Sequence, residues 1–405
     1  MPTNLPLESV KICDFMWVMA GPASTRILAD YGATVVRIES PTRIDTARTL
    51  QPYLDNKLGS DSSGLFANCN AGKLGISLDL ANPRSREVVH DLVRWADVVT
   101  ESFSPKAMRA WGLDYESLRK INPGVIMLSS CLMGQTGPLA KIAGFGNMAA
   151  AIAGFHNLTG WPDRPPAGVF GAYTDYVAPR FTAAAILAAL DYRRRTGEGQ
   201  YIDQSQAECA IHFLGPAILD YTVNRRIGER AGNSDPIFAP HGVYPAAGDD
   251  EWVAIVCRND DDWRRLCSAI KREELARDSR FATAAGRREH RDAIDLSIAA
   301  WSRNLDAAVI ESLLQSRGVP AHQVQNSGAA YRDPQFVHRG HFVALEHPTL
   351  GKFTVEGSRA KLSRTPASVR RAAPTLGQDN QHVLENILGY DETQISELAA
   401  SGVLG

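Results

Sequence analysis

The sequence predicts an α/β fold, with a Rossmann-like large domain on a parallel sheet and a smaller α+β domain. Three observations predict it. A strand, a helix and a second strand follow one another within residues 10–39, which implies a βαβ unit. The same alternation recurs through the first half of the chain. After residue 225 the texture changes to one apolar strand followed by helices that begin on acidic residues.

Taken in order, residues 10–15 (VKICDF) read as a strand, 22–31 (PASTRILADY) as a helix stopped by Gly32, and 34–39 (TVVRIE) as the next strand. Residues 83–97 pattern as an amphipathic helix feeding a strand at 98–100, and 115–121 as a short helix feeding a strand at 125–128. An alanine-rich helix follows Asp175, with Pro179 suited to its first turn, Arg193, Arg194 and Arg195 at its C-terminal end and Gly197 as its stop. Residues 251–257 read as a strand, and 260–271, 291–303 and 305–317 as helices. Short strands at 342–346 and 352–356, a basic, proline-bearing stretch at 359–374 and a helix at 392–400 close the chain. The expected organisation is a large domain over 1–225, a small α+β domain over 226–325, and a C-terminal segment, 326–405, that returns to the large domain.

Composition narrows the function. Of 405 residues, 44% are hydrophobic and 22% charged, as in ordinary soluble proteins, and the net charge of −2 gives no pull toward nucleic acid or membrane surfaces. The six cysteines form no CxxC pair, which suggests reduced thiols in a cytoplasmic protein. The N-terminus lacks the basic segment and apolar run of a signal peptide, and no apolar stretch is long enough to span a bilayer.

The first βα turn is where an open α/β sheet usually binds its ligand, and here it reads MWVMAGPAST (16–25). It has no GxGxxG, so a dinucleotide fingerprint is absent. Glu39 ends the second strand, as many acidic residues do. Arg37, Arg43, Lys73, Lys106 and Arg109 lie near strand ends, where they can meet phosphates or simply be solvated charge. His338 and His341 have no supporting ligand cluster, so no metal is expected. Cys131 follows a strand with no histidine nearby in sequence and reads as a small packed residue. Asp175 precedes its helix in GAYTDYVAP (171–179). A carboxylate near the positive end of a helix tends to stay ionised, as a nucleophile must; the plain alternative is a helix cap.

Eight short runs decide between these. They are DFMWVMAGP (14–22), LADYGA (28–33), VRIE (36–39), NAGK (70–73) with ISLDL (76–80), DVVTESF (97–103), GQTGP (134–138), RTGEGQ (195–200) and RAAPTLG (371–377). In that order and spacing, over almost the whole chain, they resemble the family III CoA-transferases, the CaiB/BaiF group that includes formyl-CoA and carnitine CoA-transferases and α-methylacyl-CoA racemases.

The resemblance implies an enzyme with no tightly bound cofactor, working on coenzyme A and acyl-CoA as substrate together with a small carboxylic acid. Asp175 matches the family's catalytic aspartate, which forms an aspartyl anhydride and then an aspartyl-CoA thioester. Contacts to CoA carry over to Met19, Ala20, Leu78, Ser102 and Phe103, and the lysine of the family's motif matches Lys73. Ser40 stands where some members place an arginine, so Arg37 or Arg43 is expected to compensate; Arg109 is a weaker match for phosphate. The family also implies an interlocked homodimer. Three departures matter. The racemases' histidine position is occupied by Phe145, with His156 eleven residues further on, which disfavours racemisation. Gly146 replaces the glutamate of some transferases, and the formyl-CoA transferase glycine loop is missing from 229–245. Tyr173 and Tyr176, with Trp17 and Phe145, hint at a pocket larger than formate or oxalate needs. The expectation is CoA transfer, with a 2-methylacyl-CoA racemase or a catalytically silent CoA-binding protein as the alternatives.

Overall fold

The computed structural model describes residues 5–404. Six strands, β1 (Lys11–Phe15), β2 (Thr34–Glu39), β3 (Leu74–Ser77), β4 (Val98–Glu101), β5 (Ile126–Cys131) and β6 (Tyr201–Ser205), form one sheet in the order β3-β2-β1-β4-β5-β6. Every pairing in it is parallel. The chain starts at the centre, winds out to β3, then crosses to β4, so β1 and β4 flank the switch point where such sheets bind ligands. β1 and β2 are buried almost throughout, because helices cover both faces.

One face packs on the helix Ser85–Trp95, which contributes Val88, Val89, Leu92 and Val93, and on Val383, Leu384 and Leu398 from the end of the chain. The other packs on the helices Ala20–Asp30 and Tyr173–Thr196 through Leu28, Ala183, Ile186 and Ala189. Alanines on the long helix let its backbone lie close to the sheet.

That long helix departs from expectation at its start. It begins at Tyr173, with Ala172 as N-cap, so Pro179 lies inside it instead of in its first turn. Proline brings no N–H, so the carbonyl of Asp175, four residues back, loses its helical donor. Its exit follows the motif. Gly197 takes a left-handed φ of 80° and its N–H donates to Arg193 O at 2.7 Å. Arg193 in turn grips Asp97 at 2.6 Å. Gly199 passes so close to β5 that a Cβ there would lie 2.0 Å from Val125 O. The RTGEGQ run therefore ends one helix and seats it on the sheet.

The described chain divides into two compact units. The first takes residues up to 157, 168–228 and 335 onward; the second takes 158–167 and 229–334. In the first unit, the late segment lies along the β3 edge: Asp379 Oδ2 accepts Gly75 N–H at 2.8 Å and Asn380 Oδ1 accepts Ser77 N–H at 2.9 Å. It also holds the antiparallel hairpin β10 (Phe342–His347) and β11 (Gly351–Glu356). The second unit has the antiparallel sheet β7 (His241–Pro245), β8 (Trp252–Val256) and β9 (Ala321–Gln323), with Trp263, Leu266, Ile294, Ile298, Ile310 and Leu314 of its helices in the core.

Candidate active site

The β1 turn is held open by ion pairs. Val18 has a left-handed φ of 66°, rare for a β-branched residue, and its N–H donates to Asp45 Oδ1 at 3.0 Å. Asp45 is itself gripped by Arg37, whose other nitrogen donates to Met16 O at 2.6 Å. Trp17 N–H donates to Ser102 Oγ at 2.9 Å, which ties the turn to the end of β4. Nothing short-range in the sequence marks Asp45 for this role; it caps the single-turn segment Thr46–Thr49 and reaches back across the turn.

Asp175 opens into a cavity of about 200 Å³ beside this turn, together with Met19, Ala20, Ser102, Phe103 and Phe145. A wider cavity of about 820 Å³ shares Trp17, Val18, Ser102, Phe103 and Phe145 with it and reaches Glu39, Arg43 and Asp79. That places Asp175, Met19, Ala20, Ser102, Phe103 and Arg43 along one cleft. The larger volume lies within the range of about 300–1,000 Å³ usual for ligand pockets.

Asp175 is 6% exposed and lies in the first turn of its helix, yet it is no cap: that role falls to the backbone of Ala172. Among the described residues nothing hydrogen-bonds its carboxylate. Burial pushes its pKa up to about 7, against the expectation that the helix end would keep it charged. Desolvation wins because no cation or donor offsets it. The helix Gly146–Ala153 starts against it: a Cβ on Gly146 would lie 2.7 Å from Asp175 Oδ1 and 2.9 Å from Thr174 Oγ1. Thr174 Oγ1 donates to Gly146 O at 3.1 Å and fixes that approach.

Four residues expected at the CoA site lie off this cleft. Lys73 is fully buried, and its ammonium is spent on Asp14 Oδ2 at 3.0 Å, Pro22 O at 2.9 Å and Asn70 Oδ1 at 3.0 Å. Desolvation draws its pKa down to about 8, with Asp14 opposing; the residue braces the fold and lines neither cavity of the cleft. Leu78 is also fully buried, in the core, and the neighbouring Asp79 and Leu80 line the wide cavity instead. Arg109 faces a separate cavity of about 350 Å³. Arg37 cannot stand in for the residue missing at Ser40, because it is buried between Asp45 and Glu39; Arg43 alone lies on the cleft. His156, on the short helix Phe155–Leu158, lines neither cavity, whereas Phe145 lines both. Cys131 does face the Asp175 cavity, but burial pushes its thiol up to about 11.

Sequence reasoning missed Lys141. It is the one cationic side chain among the described residues lining the Asp175 cavity, and it follows GQTGP by three residues. Its place in the loop before the Gly146 helix is the signal that pointed there.

A parallel α/β sheet with a buried carboxylate at its ligand-binding edge has the character of an enzyme's candidate site. Comparison then identifies the family: CoA-transferase family III matches residues 7–380, and the chain belongs to it. It is 35% identical over 399 residues to a succinyl-CoA–D-citramalate CoA-transferase of Chloroflexus aurantiacus, covering 98% of both chains. It is 30% identical over 400 residues to the human succinyl-CoA:glutarate CoA-transferase, covering 98% of this chain and 90% of that one. In structure it resembles a CaiB/BaiF family protein from Brucella suis, with a TM-score of 0.87 and 31% identity over 95% of this chain and 100% of that one.

Proposed function

We propose that the protein moves CoA from a dicarboxylic acyl-CoA such as succinyl-CoA to a free carboxylic acid, with Asp175 as nucleophile. The observation that carries this reading is the buried carboxylate that lines the smaller cavity with no hydrogen-bond partner among the described residues. Asp175 Oδ1 or Oδ2 attacks the thioester carbon; the C–S bond breaks, and CoA leaves as thiolate from a mixed anhydride. The thiolate then attacks the aspartyl carbon of the anhydride, which breaks the other C–O bond. The donor acid departs as carboxylate and an aspartyl-CoA thioester remains. The acceptor carboxylate repeats the two steps in reverse order and regenerates Asp175. One thioester replaces another, so no nucleotide is consumed.

Met19, Ala20, Ser102 and Phe103 border the thioester end, and Arg43 sits where the wide cavity can meet CoA phosphate. Lys141 suits the distal carboxylate of a dicarboxylic acyl group, in keeping with the succinyl donors of the relatives. Racemisation needs a second acid or base across the α-carbon. By the resemblance Phe145 stands at the racemases' histidine position, and no histidine lines the cavity among the described residues. The test is incubation with succinyl-CoA followed by hydroxylamine. A hydroxylamine-sensitive adduct at Asp175, with CoA passed to an added acid, is expected; α-carbon exchange without acid exchange would sink the reading.

A further inference from the structure

We infer that Glu101 is a positioning residue whose buried carboxylate fixes the Ser102–Phe103 turn bordering both cavities. The inference rests on the reading that this cleft takes acyl-CoA.

Glu101 ends β4, is 2% exposed, and has no cationic partner among the described residues. Burial, with Asp203 adding to it, pushes its pKa up to about 7, while Ser129 and the Phe103 amide pull it down. A carboxyl kept there at such cost has a structural task, and its contacts show which. Oε2 accepts the backbone N–H of Phe103 at 2.7 Å, and Oε1 accepts the amide of Gln135 at 3.3 Å. Gln135 is anchored in turn, because its own backbone N–H donates to Asp203 Oδ1 on β6 at 2.7 Å. Gly134, at a left-handed φ of 85°, allows this approach.

Three separate motifs, DVVTESF, GQTGP and the strand after RTGEGQ, are thus linked in series behind the cleft, Glu101 to Gln135 and Gln135 to Asp203. In front of it, Ser102 holds Trp17 N–H, and the Phe103 ring stands edge-on to Trp17 at 5.5 Å and Trp111 at 5.3 Å. Glu101 touches no cavity wall next to Asp175; it lies on the far side of the turn, in the cavity with Arg109. It therefore acts on the substrate through Phe103 and Ser102.

The experiment is CoA binding by calorimetry, alongside KM and kcat for acyl transfer, in Glu101→Ala, Glu101→Gln and Gln135→Ala. Glu101→Ala is expected to weaken CoA binding and raise KM for acyl-CoA about tenfold, with kcat at saturation changed less than threefold, the scale of one or two lost hydrogen bonds. Glu101→Gln keeps an acceptor for Phe103 N–H and should restore near-wild-type KM. Gln135→Ala should give a smaller rise of the same kind and serves if Glu101→Ala does not fold. Unchanged CoA affinity in all three variants overturns the inference alone, as does a loss of kcat without a change in KM. A wild-type protein that binds no CoA overturns the reading of the cleft as well.

Discussion

Gly146 and Asp175 touch so closely that one added methyl at Gly146 would stand 2.7 Å from the carboxylate oxygen. Gly146→Ala must therefore displace the carboxylate or the start of its own helix. The expected outcome is a fall in kcat of about 10–100-fold, the scale of a misplaced reacting group, with CoA affinity unchanged by calorimetry. An Ala variant with full kcat would show that the carboxylate moves freely.

Asp175 itself should govern both activity and stability. Asp175→Ala is expected to lose at least about 1,000-fold in turnover, as for a lost nucleophile. Its pKa of about 7 also sets a pH dependence: the ionised nucleophile accumulates as pH rises, so first-order adduct formation should climb through pH 7 and level off above it.

The stability effect has the opposite sign. A carboxyl whose pKa is raised on folding binds its proton more tightly in the native state, so stability falls as pH rises from near 4 toward 7. At about 1.4 kcal/mol per pH unit, the ionised side chain costs up to roughly 4 kcal/mol above pH 7. Asp175→Asn should be more stable than wild type to urea near pH 8, and the gain should shrink near pH 5. Equal gains at both values would contradict the burial argument.

Lys73 separates a fold role from a ligand role. Lys73→Met leaves Asp14 buried without its cation and is expected to cost roughly 3–5 kcal/mol in chemical unfolding. CoA affinity of the folded fraction should be preserved. A variant that is stable but fails to bind CoA would reinstate the lysine as a contact.

Lys141 reports on the acids. Lys141→Ala should raise KM about tenfold for succinate or glutarate as acceptor and leave a monocarboxylate unchanged, in line with loss of one charge-assisted hydrogen bond. A uniform effect on both acid types would remove its assignment to the distal carboxylate.

Much of the large sheet was legible because parallel strands bury both faces and read as apolar runs. TVVRIE and its neighbours stand out for that reason, and β2 falls at 34–39 as expected. β3 and β6 did not stand out. LGIS is short with a glycine, and YIDQS is a half-polar edge, so tertiary pairing outweighs local preference in both. At the site, Asp175 could be singled out because its helix and exit motif frame it. The fate of Lys73 could not, because a lysine looks the same in sequence whether it faces a phosphate or a buried Asp14. Lys141 and Asp45 became visible only when loops distant in sequence closed on one turn.

Among the described residues no hydrogen bond reaches the Asp175 carboxylate, which bears on the adduct as much as on the free acid. An anhydride or thioester of that carboxyl group carries no charge at the aspartyl carbonyl, so the burial that penalises the carboxylate does not penalise its acylated form. In the proposed cycle each acylation relieves the burial penalty and each release restores it. On that reading the ionised free carboxylate is the form that burial disfavours, and the pocket favours the acylated form over it.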